Sequence, residues 1–419
     1  MKKALIVGAG ISGISMSRLL SGKMEVTVLE KAAKSGGLIK CDRVDGALFH
    51  RVGGHVFNSK NQIVLEWFWK HFDRDNEFIK ARRNAKILME DQFIGYPLEN
   101  YLYQLPENKI RSIVEDLTVL IAEKKQPADA ENFKDFLLTS FGKTLFEIYF
   151  EPYNSKIWNT DISKVPLEWL EGKLPMPSTK EILINNILRK EESEMVHASF
   201  YYPKSNGSQF IINRLSDMQD IQLNYEVKSI AQIQDGRLLV NNEKEADYLI
   251  YCGDVRILHS IIATGDMNLR AALESVTSFA SNGTSNVLCE TDSNDISWLY
   301  LPEAKYKAHR IIYTGNFSES NNSVGRRKTC VVEFSGRQPE ADMIKELASL
   351  PGNLVPIAFN YEPNSYIIHD SSTAKKIAAL KLILRKYNIF LLGRFAEWEY
   401  YNMDKCVEKA MELSLEINN

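Results

Sequence analysis

The chain has 419 residues, 44% hydrophobic and 25% charged, with a formal net charge of −3. Its length exceeds the usual single-domain size, so two or three domains around more than one core are expected. The near-balanced charge gives no electrostatic case for nucleic-acid binding, and no stretch reaches the roughly 18 uninterrupted apolar residues of a membrane span.

The first segment reads strand, turn, helix, strand: "KALIV", "GAGISG", "ISMSRLL" and "EVTVLE". Two lysines before an apolar run resemble a secretory leader, but three glycines interrupt the run and give it another meaning. Gly8, Gly10 and Gly13 form GxGxxG, with Ile11 and Ser12 inside it. In such a turn the first glycine permits the bend, the second lets a pyrophosphate approach the backbone, and the third lets helix and strand pack closely. The helix N-terminus offers free N–H groups to the phosphates. Glu30 ends the second strand, where an acid can accept hydrogen bonds from ribose hydroxyls, and Lys31 follows it. The spacing predicts a Rossmann-type dinucleotide site. Gly36 and Gly37, ahead of Leu38, are either an ordinary loop or backbone lying along an extended cofactor. The second reading favours FAD over NAD.

"FHRVGGHVFNSK", residues 49–60, places Gly53 and Gly54 before His55 in a strand-like stretch. Paired glycines weaken a strand, so a close approach by backbone or ligand is expected there. A mostly helical block is predicted from 78 to 195. Ile110, Ile113, Leu117 and Leu120 recur at helical spacing, as do Phe133, Phe136, Leu137 and Phe141, with a short strand pair around "AKILMEDQFIGYPL". Strand alternation resumes around "IAQIQDGRLLV", with Asp235-Gly236 as a hairpin turn. "RIIYTGNF" and "TCVVEF" are further strand candidates, and the chain closes with "NIFLLG" and a helix from about Met403.

These patterns predict an α/β chain with a discontinuous Rossmann-type domain over 1–77, 196–255 and 385–419. A helical insertion would occupy 78–195, and an antiparallel-sheet substrate domain 256–384. Cys41, Cys252, Cys289, Cys330 and Cys406 are odd in number and form no CxxC pair. That argues against a disulfide framework or a metal site and for a reducing, cytoplasmic compartment.

In this order the glycine turn, "GGHVF", "YNSKIW", "SWLYLPE", "HRIIYTGNFS", "NSYIIHD" and "GRFAEWEYYNMD" resemble the FAD-dependent UDP-galactopyranose mutases. The wider relatives are the protoporphyrinogen-oxidase and amine-oxidase-like flavoproteins. The resemblance implies bound FAD, active in its reduced form, with NAD(P)H or another reductant as its electron source. Gly53 and Gly54 would admit the flavin ring and His55 would steer its chemistry; the alternative is a buried structural histidine on a glycine bend. Arg394 would reach the cofactor's polar chain. Asn402 would cap the last helix, whose N-terminus at Met403 would face the flavin. The mutases usually carry aspartate at the position of Asn402.

On the substrate side, Tyr153 and Trp158 match the residues that hold uridine, although aromatics beside a helical block also serve as core. Arg310 matches an arginine that meets the substrate diphosphate; read without the resemblance, it is equally a solvated strand-face charge. Tyr366 and Tyr400 match tyrosines that bind the same phosphates. One departure is plain: the bacterial mutases have a second phosphate arginine in a segment like "KRIPVR", and here the segment is "GKLPMP", with Pro177 in its place. Lys173 or Arg189 could substitute, lysine only as a point charge. The resemblance implies pyranose–furanose isomerisation of a nucleotide sugar for cell-surface polysaccharide. His55 and Arg310 would be catalytic, and the reduced flavin N5 would act on the anomeric carbon. The competing reading is a flavin oxidase or desaturase on the same frame. The oligomeric state is left open, a homodimer included.

Overall fold

The computed structural model describes the chain except residues 125–126, 128–129, 168–177, 191–198 and 419. The elements that position the site, in chain order, begin with β1 (Lys3–Val7), α1 (Ile11–Leu20) and β2 (Glu25–Leu29). They continue with β3 (Ala85–Met89), β4 (Gln92–Gly95), α2 (Glu107–Glu123), α3 (Phe133–Leu145) and α4 (Glu151–Trp158). Next come β5 (Asp220–Gln222), β6 (Tyr248–Tyr251), β7 (Ala280–Thr291), β8 (Trp298–Tyr300) and β9 (Ala308–Ile312). The last are β10 (Lys328–Ser335), β11 (Val355–Ile368), β12 (Ile389–Leu391) and α5 (Met403–Asn418).

The Rossmann-type sheet runs β12-β6-β1-β2-β5, and every pairing in it is parallel. Parallel strands buried on both faces read as near-continuous apolar runs, as "KALIV" and "YLIY" do. Helices α1 and α5 pack together beside this sheet around Ile6, Ile14, Val407 and Ala410. The chain therefore has the expected α/β class.

The second sheet is larger than its local sequence suggests. Its order is β11-β7-β10-β9-β8-β3-β4, so the strand pair at 85–95 leaves the helical block and extends a sheet built mainly from residues 280–368. That sheet is mixed, because β8 pairs in parallel with β3, Trp298 opposite Ala85. The predicted helices at α2 and α3 are present and share one apolar cluster with Trp158 and β3. The strand in "RIIYTGNF" stops at Ile312, and a short 3-10 turn covers Thr314–Asn316.

Two local expectations change. Helix α1 starts at Ile11, directly after Gly10, so Gly13 lies inside the helix and not in the turn. The stretch around Gly53–His55 is irregular, following the strand Ala47–His50. Asp235-Gly236 lies in the turn between the antiparallel segments Ile230–Gln232 and Leu238–Val240, with φ +83° at Gly236. No helix among the described residues is long and apolar enough to cross a membrane.

Candidate functional site

A cavity of about 740 Å³ runs from the β1–α1 turn to the edge of the second sheet. That is the size of a site for an extended small molecule. At its first end Gly8 has φ +105°, a conformation that favours glycine, and its N–H donates to the Leu29 carbonyl at 2.8 Å. A Cβ on Gly13 would fall 2.0 Å from the Gly8 carbonyl oxygen, so helix and turn touch only because Gly13 has no side chain. At Gly10 the nearest neighbour of such a Cβ is the Gly37 Cα, at 3.8 Å. The backbone there is open to the cavity, the cradle a pyrophosphate needs.

The second glycine pair is fastened to the first, because the Gly36 N–H donates to the Ala9 carbonyl at 2.9 Å. Glu30 accepts the backbone N–H of Ala9 at 2.7 Å and of Ala32 at 2.8 Å, which holds its carboxylate at the cavity wall. Ile11, Ser12, Lys31 and Leu38 line the same end.

Gly53, Gly54, His55, Arg310, Arg394, Tyr400, Asn402 and Met403 line the far end. The two glycines at 53–54 answer to different demands. Gly53 has φ +62° and lies beside the Arg310 guanidinium. Gly54 is required by protein packing: a Cβ would come within 2.5 Å of the Ile312 methyl and 3.2 Å of the Phe317 ring. His55 Nε2 is buried and has no hydrogen-bond partner. Burial, helped by the Arg394 and Arg310 charges, pushes this imidazole down to about 4, so it is neutral at pH 7.

Arg310 is not a solvated charge. Its Nε pairs with Glu333 on the neighbouring strand β10, a carboxylate only 1% exposed. His309 Nε2 lies 3.3 Å from the same carboxylate. Burial alone would raise the Glu333 carboxyl, but Arg310 and His309 outweigh it and hold the group well below the carboxylate range. The cation expected to face a substrate is thus already balanced by a buried acid that the sequence reading did not single out.

Arg394 stacks on Tyr400, with its guanidinium carbon 3.9 Å from the ring centre, and Tyr366 stacks on Tyr400 at 6.0 Å. Burial raises the phenols of Tyr153 and Tyr366 well above their ordinary value, so both are neutral. Tyr153 meets the cavity wall through the Tyr300 ring, edge-on at 5.5 Å. Trp158 lies elsewhere: it packs against Phe133 at 5.2 Å in the helical core, where the core alternative describes it. Arg189 is exposed over the Tyr103 ring, away from the cavity. Pro177 and Lys173 fall outside the described residues.

The far wall also contains a residue the sequence reading passed over. Arg83 lines the cavity and lies over the rings of Tyr96, Trp298 and Tyr300, at 4.8, 5.1 and 5.9 Å. The only signal for it was an arginine two residues before a strand rich in apolar residues. Asp404, in the first turn of α5, also faces the cavity, and burial raises its carboxyl.

Residues 6–72 match the family model of the NAD(P)-binding Rossmann-like domain. The chain shares its fold with solved structures along its whole length. Among proteins of similar sequence is the UDP-galactopyranose mutase of Mycoplasma genitalium, 23% identical over 98% of this chain and 94% of the relative. A solved structure of reduced UDP-galactopyranose mutase superposes with a TM-score of 0.88 at 19% identity, covering 100% of this chain and 95% of the other. A putative protoporphyrinogen oxidase from Exiguobacterium sp. 255-15 superposes with a TM-score of 0.75 at 15% identity, covering 100% and 98%.

Proposed function

We propose that the chain is a flavin-dependent isomerase of the UDP-galactopyranose mutase kind, interconverting pyranose and furanose forms of a nucleotide sugar destined for cell-surface polysaccharide. The observation that carries this reading is the single unbroken cavity joining a glycine-lined Rossmann turn to a wall of arginines and tyrosines. The end-to-end likeness to the mutases supports it.

The residues present fit FAD. Gly10 leaves backbone open to the cavity, Glu30 on the cavity wall would accept from the ribose hydroxyls, and Arg394 and the α5 N-terminus at Met403 would offer positive charge at the far end. When bound and reduced, FAD supplies the nucleophile that such an isomerisation requires. The chain's own part is to bind, orient and exclude water. Neutral His55 can donate or accept a hydrogen bond without adding charge. Tyr366 and Tyr153, held neutral by burial, stand behind the wall and back the cavity-lining rings of Tyr400 and Tyr300.

The deciding experiment is to incubate the dithionite-reduced protein with UDP-galactofuranose and analyse the sugar nucleotide. Formation of UDP-galactopyranose without net consumption of reductant supports the proposal. The pairing of Arg310 with Glu333 and the core position of Trp158 favour a second reading, a flavin oxidase. Under that reading a substrate is oxidised with oxygen consumed at every turnover.

A further inference from the structure

Arg83 is a cation with no acid beside it among the described residues. Its Nη2 donates to the Tyr300 hydroxyl, and its Nε is buried without a hydrogen-bond partner. An unmatched buried donor on a charged group is costly, and such groups in folded proteins call for a partner. The three surrounding rings hold the guanidinium by cation–π contact and fix its plane. Arg83 lines the cavity, and with Nη2 on Tyr300 and Nε buried, Nη1 is the donor left to a ligand there.

Its place on the wall is that of substrate recognition. Tyr300, which accepts from Arg83, pairs directly with Arg310 across strands β8 and β9. Arg310 is neutralised by Glu333, and Arg394 is tied to the Ser365 carbonyl beside the residues assigned to the cofactor. Of the cavity's far-end arginines, Arg83 is the one with neither assignment.

We infer that Arg83 binds an oxyanion of the substrate, standing in for the second phosphate arginine that the mutases carry where this sequence has Pro177. Within the function proposed above, on which this assignment of the ligand rests, the oxyanion is the nucleotide diphosphate; on a redox substrate it would be a carboxylate. A planar guanidinium suits either, pairing with two oxygens at once.

The test is calorimetric titration of UDP and, separately, benzoate into the FAD-loaded wild type, Arg83→Gln and Arg83→Lys. Arg83→Gln should weaken UDP binding roughly ten- to a hundred-fold, as expected for loss of a charge-assisted contact. Arg83→Lys should recover only part, with FAD content unchanged. If Arg83→Gln does not hold FAD, Arg83→Lys decides alone: weaker binding supports the inference, and equal affinity overturns it. Binding of benzoate but not UDP, lost in Arg83→Gln, keeps the oxyanion role and ends the nucleotide-sugar reading. Equal affinities in wild type and variants, or a wild type that binds neither probe, overturn the inference.

Discussion

Glu333→Gln removes the carboxylate that balances Arg310. Glu333 is 1% exposed and the Arg310 side chain 22%, so the pair is largely out of water. Removing one partner of a buried pair costs about 3–5 kcal/mol, because the other charge is left uncompensated. Glutamine keeps the volume and one carbonyl oxygen for the Arg310 Nε, which returns about 1 kcal/mol. The expected net loss is therefore about 2–4 kcal/mol, read as unfolding free energy from denaturant titration followed by fluorescence. Replacing both partners, Arg310→Met with Glu333→Leu, should cost much less than the two single changes added together, since apolar residues of similar volume substitute well for buried pairs. The freed guanidinium in Glu333→Gln should also bind UDP more tightly than wild type, so stability and affinity would move in opposite directions. The reasoning is refuted if Glu333→Gln lies within about 0.5 kcal/mol of wild type, or if the double variant loses the full sum.

Gly10→Val should fold but purify without flavin absorbance, because its side chain projects into the cavity beside Gly37; an equally yellow variant would show that nothing passes close to this turn. Gly54→Ala should lower the melting temperature through its 2.5 Å contact with Ile312, and Gly54→Ala with Ile312→Ala should lose less than the two single changes added together, because the second removes the methyl the first meets. Burial holds fully enclosed His50 at about 3, against 6.5 when exposed, so the unfolded chain binds the extra proton between these values. Its contribution is complete above pH 6.5 and is lost as pH falls. At pH 5 it has cost about 2 kcal/mol, and His50→Gln should flatten stability over pH 5–7.

Legibility in the sequence followed distance along the chain. The turn at Gly8–Gly13 and the acid at Glu30 act within a few tens of residues, and their spacing alone reveals them. The strand pair at 85–95 was readable as strands, but its partner was not: Ala85 meets Trp298 across more than two hundred residues. Arg83 is hidden for the same reason, since two of the three rings that enclose it, Trp298 and Tyr300, come from a strand more than two hundred residues away. In "TCVVEF" Glu333 looked like an ordinary strand residue, because only the register of β9 on β10 sets Arg310 beside it. Gly54 shows a different limit. A glycine signals close approach, but not whether a ligand or the protein's own Ile312 does the approaching.

The Rossmann sheet draws β1 and β2 from the start of the chain but its edge strand β12 from Ile389–Leu391, and α1 lies against α5. On a ribosome adding about 5–20 residues per second, roughly 20–70 s separate emergence of Glu30 from that of β12. For roughly the last 7–28 s of that interval, once Tyr251 has emerged, the glycine turn waits beside the unpaired edge of β6, a surface that invites strand pairing with neighbouring nascent chains. The glycine-lined cavity, walled in part by Arg394–Cys406, is therefore completed late in synthesis, and a stalled or prematurely terminated product would leave that strand edge open and be prone to aggregate.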